Sequence, residues 1–156
     1  MVEIMNLLKA GDTPAVDQKT FLKSQILFWL IGATDGHAKN VSIFLGAGGR
    51  FHLTPLYDVL TAQPSLDDRQ IERKQMKLAM SVGDSRHYKI EEIRGGILSR
   101  PPSVPGCRVR WQSVPWKKWL RLRGRHPESR KGTACGFLVG IHNSVKKALK
   151  SRLQHL

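Results

Sequence analysis

Asp35, Asn40 and Asp58 are the residues whose types and spacing best suit chemistry in this chain. Two carboxylates and an amide offer oxygen donors only, a set that suits a hard cation such as Mg²⁺, which ordinarily also binds substrate phosphates. A carboxylate kept off the cation can accept a proton from an attacking hydroxyl. Asp58 nevertheless follows Asp35 by 23 positions, so the chain between them has to fold back.

A β-hairpin does this. Val41, Ile43 and Leu45 alternate with Ser42 and Phe44, while Phe51 and Leu53 alternate with Arg50, His52 and Thr54. Gly46-Ala47-Gly48-Gly49 joins the two runs as a turn. Asn40 lies just before the first strand and Asp58 just after the second, so antiparallel pairing puts them at one end of the hairpin. Asp35 belongs to the polar loop 34–40 that leads into it.

The helix feeding that loop is equally legible. Thr13-Pro14 reads as an N-cap with proline at the first helical position. Phe21, Leu22, Gln25, Ile26, Trp29 and Leu30 then mark one buried face of a helix over 14–31, ended by Gly32. A shorter helical segment over 4–8 precedes it. Downstream, the polar stretch 63–75 reads as a surface loop and 76–82 as a strand, with a short helix as the alternative. Asp84-Ser85 reads as the cap of a helix entered by Tyr88, Ile90 and Ile93.

Charge divides the chain. Its 156 residues hold 26 Lys plus Arg against 12 Asp plus Glu, a formal charge of +14. Residues 1–94 carry 12 and 11 of these, and residues 95–156 carry 14 and 1. The second part also holds Trp111, Trp116, Trp119, five of the eight prolines and both cysteines, Cys107 and Cys135. Two cysteines build no disulfide framework. No apolar run is long enough to span a membrane, and no secretory signal is visible, so a cytoplasmic protein is expected.

Asp-x-x-x-x-Asn, as in Asp35 and Asn40, is the spacing of the protein-kinase catalytic loop. The wording around it goes further. Trp29-Leu30-Ile31-Gly32-Ala33-Thr34-Asp35-Gly36-His37-Ala38-Lys39-Asn40, then Leu53-Thr54-Pro55-Leu56-Tyr57-Asp58-Val59-Leu60, closely resembles the HipA family of serine/threonine protein kinase toxins. Lys77-Leu78-Ala79-Met80 and the lead-in over 4–28 also fit, so the resemblance covers about residues 3–94. It implies an α+β fold, mainly α, namely a C-terminal kinase-like lobe whose hairpin carries the catalytic and metal loops. It further implies Asp35 as the base that deprotonates a substrate serine, with Asn40 and Asp58 as magnesium ligands. His37, Ala38, Lys39, Asn40, Tyr57 and Asp58 match ATP contacts. Family partners are a protein substrate, typically an aminoacyl-tRNA synthetase, and a helix-turn-helix antitoxin through which DNA is engaged indirectly; no membrane is involved.

Two features depart from the family pattern. The chain has no Gly-x-Gly-x-x-Gly loop and no Val-Ala-Ile-Lys-like strand, so the N-terminal lobe is expected to be absent and the chain alone nearly inactive. Residues 95–140 lose apolar periodicity and read as a basic segment rich in Arg, Trp, Pro and Gly, before a last helix over 141–156 marked by Val145, Leu149 and Leu153. Compensating frameshifts are the preferred explanation. Alternatives are a noncatalytic nucleic-acid-binding module, in which basic residues track phosphates and tryptophans stack on bases, or a remnant without function. Plainer roles also stay open for the motif residues: an Asx-turn for Asp35 and Asn40, and the cap of a helix starting at Val59 for Asp58.

Overall fold

The computed structural model describes residues 1–83, 85–94, 97 and 135–155. Helix α1 (Val2–Leu8) leads to the long helix α2 (Pro14–Ile31), then to an antiparallel hairpin of β1 (Ile43–Leu45) and β2 (Phe51–Leu53). A short helix α3 (Gln63–Asp67) precedes a second antiparallel pair, β3 (Lys77–Val82) and β4 (His87–Lys89), and helix α4 (Cys135–Leu153) comes last. This is an α+β arrangement of helices and two small two-stranded sheets.

Helix α2 occupies the centre. Its 18 residues match the span expected from the apolar spacing, but burial is not confined to one face. Ser24, Gln25, Ile26, Phe28, Trp29 and Leu30 are all buried, so neighbours surround its C-terminal half. The polar members are bonded as burial requires: Ser24 Oγ donates to the Phe21 carbonyl, and Gln25 Nε2 donates to Ser24 Oγ. Thr13 does occupy the N-cap position with Pro14 beside it, but its hydroxyl makes no capping bond.

Two apolar clusters meet on this helix. Met5, Leu8, Phe21 and Met80 form one, which ties α1 to the N-terminal half of α2. Leu22, Ile26, Trp29 and Leu30 join Met76, Leu78, Val82, Ile90, Ile93 and Leu149 in the other. Trp29 is 1 % exposed, and its indole N–H donates to the Ile90 carbonyl at 3.0 Å. That bond lets a large amphipathic ring be buried without an orphaned donor.

Four local expectations are corrected. The polar stretch 63–75 is not only loop, since it contains α3 and a 3₁₀ turn, Arg73–Gln75. Of residues 76–82, Lys77–Val82 form the expected strand, and the helix expected to follow is strand β4 instead. There Gly83, at φ 71°, turns the chain back so that the backbone of 87–89 pairs with β3. Asp84, half of the proposed cap, lies outside the described residues. No helix starts at Val59, because 54–62 carry no regular structure, so Asp58 caps nothing. Finally, the last helix begins at Cys135 rather than 141 and ends at Leu153. Gly136 and Gly140 in its first turns read as breakers in sequence. Of the basic segment 95–140, residues 95, 96 and 98–134 lie outside the described residues.

Val145, Leu149 and Leu153 do lie against the core, with Leu149 2 % exposed. Arg152 on the same helix donates through Nη1 to the Leu30 carbonyl at 2.9 Å and through Nη2 to Gln63 Oε1 at 2.8 Å. Burial lowers its pKa to about 10, partly opposed by the Asp67 carboxylate. A basic helix thus contributes apolar contacts and a clamp on the end of α2.

Leu149→Ala should destabilise the protein by about 2–5 kcal/mol, the usual range for emptying a buried leucine site. Arg152→Ala should cost about 1–3 kcal/mol by stranding the Leu30 carbonyl, with Arg152→Lys recovering only part because it lacks the fork. Urea midpoints compared at equal m-values check both.

Candidate functional site

The loop that leaves α2 is anchored before it reaches any reactive side chain. Gly32 ends the helix in the left-handed region at φ 69°. Its N–H donates to the Trp29 carbonyl and that of Ala33 to Phe28, the paired bonds of a Schellman motif. The Ile31 carbonyl accepts from Thr61 Oγ1 and the Gly32 carbonyl from the Ala62 N–H. The Leu30 carbonyl is held by Arg152. Every carbonyl that the helix end would strand therefore has a partner.

Gly36 supplies the next constraint. A Cβ there would collide with the ring of Phe28, so the loop lies flat on the helix it has just left. This close approach explains a glycine between Asp35 and His37 in physical terms. Residues Ala38–Asn40 then form a 3₁₀ turn closed by the Asn40 N–H on the His37 carbonyl at 3.0 Å. Asn40 is carried inward and is 7 % exposed.

From that position Asn40 joins the two loops. Its Nδ2 donates to the Asp35 backbone carbonyl at 3.0 Å and to the Asp58 carboxylate at 3.4 Å. The fold therefore brings Asp35, Asn40 and Asp58 together, with the side chain of Asn40 between the other two. The hairpin achieves this through the pairing of Ile43 with Leu53 and Leu45 with Phe51. Asp58 itself sits at φ 52°, a left-handed backbone that few non-glycine residues adopt, though aspartate tolerates it better than most.

Tyr57 makes a second tie between the loops. Its hydroxyl donates to the Lys39 carbonyl at 3.2 Å and lies 2.7 Å from Ser42 Oγ. Because the phenolic hydrogen is committed to Lys39, Ser42 is the donor in that second bond. Ser42 was not singled out from sequence, and it meets a residue fifteen positions away only because the hairpin and the irregular segment after β2 fold back on its loop. The His37 imidazole lies with Nε2 3.0 Å from Asp35 Oδ1. His37, Ala38 and Lys39 are exposed on the same rim.

The donor set can be judged on this geometry. With both Asn40 Nδ2 hydrogens directed at protein acceptors, its Oδ1 takes no hydrogen bond among the described residues. An amide oxygen and a carboxylate are both hard oxygen donors, the chemical type that Mg²⁺ takes. No cluster of three or more His, Cys, Asp and Glu side chains in metal-holding range occurs among the described residues.

Gly36→Ala should displace the loop from Phe28, costing about 1–3 kcal/mol of stability as an overpacked contact does. The amide signals of residues 35–41 should shift while those of β3 stay in place, as read by ¹H–¹⁵N correlation spectra.

A helix, a short polar loop with Asp35 and Asn40, a hairpin, and a second loop with Asp58 are the parts of this site in chain order. The family profile described as the HipA-like C-terminal domain matches residues 1–122, which include all of them and extend into the basic segment. With more than half of its length matched and both site loops inside the match, the chain belongs to the family of HipA-like C-terminal domains.

Proposed function

We propose that this chain carries the catalytic loop and the metal-holding side chains of a serine/threonine protein kinase. The reaction would be transfer of the ATP γ-phosphoryl group to a serine hydroxyl of a protein, with an aminoacyl-tRNA synthetase the target class that family membership suggests. The observation that carries this reading is the position of Asn40, which donates to the Asp35 loop and to the Asp58 carboxylate while leaving its own oxygen unused.

Asn40 Oδ1 and the Asp58 carboxylate would hold Mg²⁺, which when bound neutralises charge on the nucleotide phosphates. Asp35 would accept the proton of the attacking serine. Its Oδ1 lies on His37, and Oδ2 has no hydrogen bond among the described residues, so one carboxylate oxygen is available for that proton. His37, Ala38, Lys39 and Tyr57 would line the nucleotide side. Tyr57 and Gly36 act earlier in the causal chain by holding the two loops at a fixed separation, which matters because phosphoryl transfer rests mainly on positioning and charge stabilisation. A helix-turn-helix antitoxin, and DNA through it, are the partners this reading carries, in a cytoplasmic setting. No helix among the described residues is long and apolar enough to cross a membrane.

Kinase turnover also requires groups that cover the phosphates from the opposite wall of the cleft, so the decisive test reads binding. Mn²⁺ shares the oxygen-rich octahedral preference of Mg²⁺ and broadens nearby NMR signals. With Mn²⁺ and ATP, the amides of residues 35–40 and 57–59 should broaden first, and Asp58→Ala should abolish the effect while His87→Ala leaves it intact. Broadening centred elsewhere, or unchanged in Asp58→Ala, would refute the assignment.

A further inference from the structure

The direct contact between the two metal-side residues is a long one. Asn40 Nδ2 stands 3.4 Å from the Asp58 carboxylate, beyond the usual N–H···O range of about 2.7–3.2 Å. Such a bond fixes the separation of its partners poorly. Asp58 also holds a left-handed backbone at φ 52°, a conformation that persists only where the surroundings impose it. A stronger tie beside the pair has to set the register of the two loops.

Ser42 supplies that tie. It lies two positions after Asn40 and grips the segment leading to Asp58 at two points. Its carbonyl accepts from the Thr54 N–H at 3.0 Å, which continues the hairpin pairing past Ile43 and Leu53. Its hydroxyl stands 2.7 Å from the Tyr57 hydroxyl, closer than either contact made by the Asn40 side-chain amide.

The stretch between those two points is short and stiff, because Pro55 has a fixed φ. Holding Thr54 and Tyr57 on one residue therefore leaves Asp58, the next in the chain, little room to move. Tyr57 in turn donates to the Lys39 carbonyl at 3.2 Å, so the bonds that start at Ser42 end beside Asn40. Hydroxyl groups bonded in series also polarise one another, which strengthens each link.

We infer that Ser42 is a positioning residue: through Tyr57, its hydroxyl sets the separation of the Asn40 and Asp58 side chains. It is not one of the oxygen donors proposed for the cation. The alignment stands on geometry alone, and only its consequence for cation binding rests on the kinase reading. Mg²⁺ and its analogues demand near-ideal octahedral geometry, so loops that drift apart hold such an ion less well.

NMR spectra of the full chain without metal test the alignment. Ser42→Ala should displace the Asn40 side-chain amide signals and the Asp58 backbone amide. Ser85→Ala, which removes an exposed hydroxyl from the β3–β4 turn, should leave both in place. Tyr57→Phe should displace the same signals at least as far, and adding Ser42→Ala to it should change them little, since both hydroxyls act through one bond. The chain holds two tyrosines, so carbon-13 at the ring Cζ gives a second reading: Ser42→Ala should move the Tyr57 signal and not that of Tyr88. In the Mn²⁺ and ATP titration, Ser42→Ala should weaken binding roughly two- to tenfold, the worth of one hydrogen bond. Ser42→Thr, which keeps the hydroxyl, should recover most of that loss. Unchanged Asn40 and Asp58 signals in Ser42→Ala, effects of Ser42→Ala and Tyr57→Phe that simply add, or equal Mn²⁺ affinity in Ser42→Ala and the wild type would each overturn the inference. Failure of the wild type to bind Mn²⁺ at 35–40 and 57–59 overturns the kinase reading instead, and the metal-free spectra still decide the role of Ser42.

Discussion

The end of a buried helix must dispose of its last carbonyl groups, and in this protein that requirement organises the molecule. Helix α2 is packed on nearly all sides where it stops, so water cannot satisfy Leu30, Ile31 and Gly32. A guanidinium from the far end of the chain, a hydroxyl at residue 61 and a backbone N–H at residue 62 do so instead. Each of these bonds fixes a different segment against the point where the loop to Asp35 begins. The polar loops are therefore mounted on a rigid support, and their short internal bonds only need to fix details.

That support accounts for how an exposed pair of loops holds a defined geometry. Asn40 is the one member of the trio that is buried, while Asp35 and Asp58 face outward. The inward residue aligns the outward ones, and the strained backbone at Asp58 is held by its surroundings, as is common where a side chain must be aimed. Gly36 against Phe28 and Tyr57 across to Lys39 add steric and hydrogen-bond limits on either side. Such a site combines solvent access for a substrate with little freedom for the groups that would act on it.

The last helix has two roles in this picture. Leu149, with Val145 and Leu153 beside it, closes the apolar cluster around Trp29, and Arg152 closes the polar network at the end of α2. Lys146, Lys147 and Lys150 of the same helix are exposed. The basic character of the C-terminal part is therefore not uniform in effect, since one cation is consumed internally while others remain on the surface.

Local pattern was sufficient to determine α2 and its termination, because apolar spacing, a proline at the first turn and a glycine after the last are all short-range signals. The hairpin and the convergence of Asn40 with Asp58 were legible for a similar reason, as antiparallel pairing returns the chain to where it started. Local pattern failed at residues 87–89, where Tyr88 and the isoleucines beyond it suit either period and the backbone partner on β3 decided for strand. It failed again at Cys135, where Gly136 and Gly140 read as breakers although the backbone is helical. Nothing in the one-dimensional pattern links Arg152 with Leu30, Gly36 with Phe28, or Ser42 with Tyr57. Those contacts join residues by distance in space, and only burial in the folded state makes their hydrogen bonds and close approaches worth keeping.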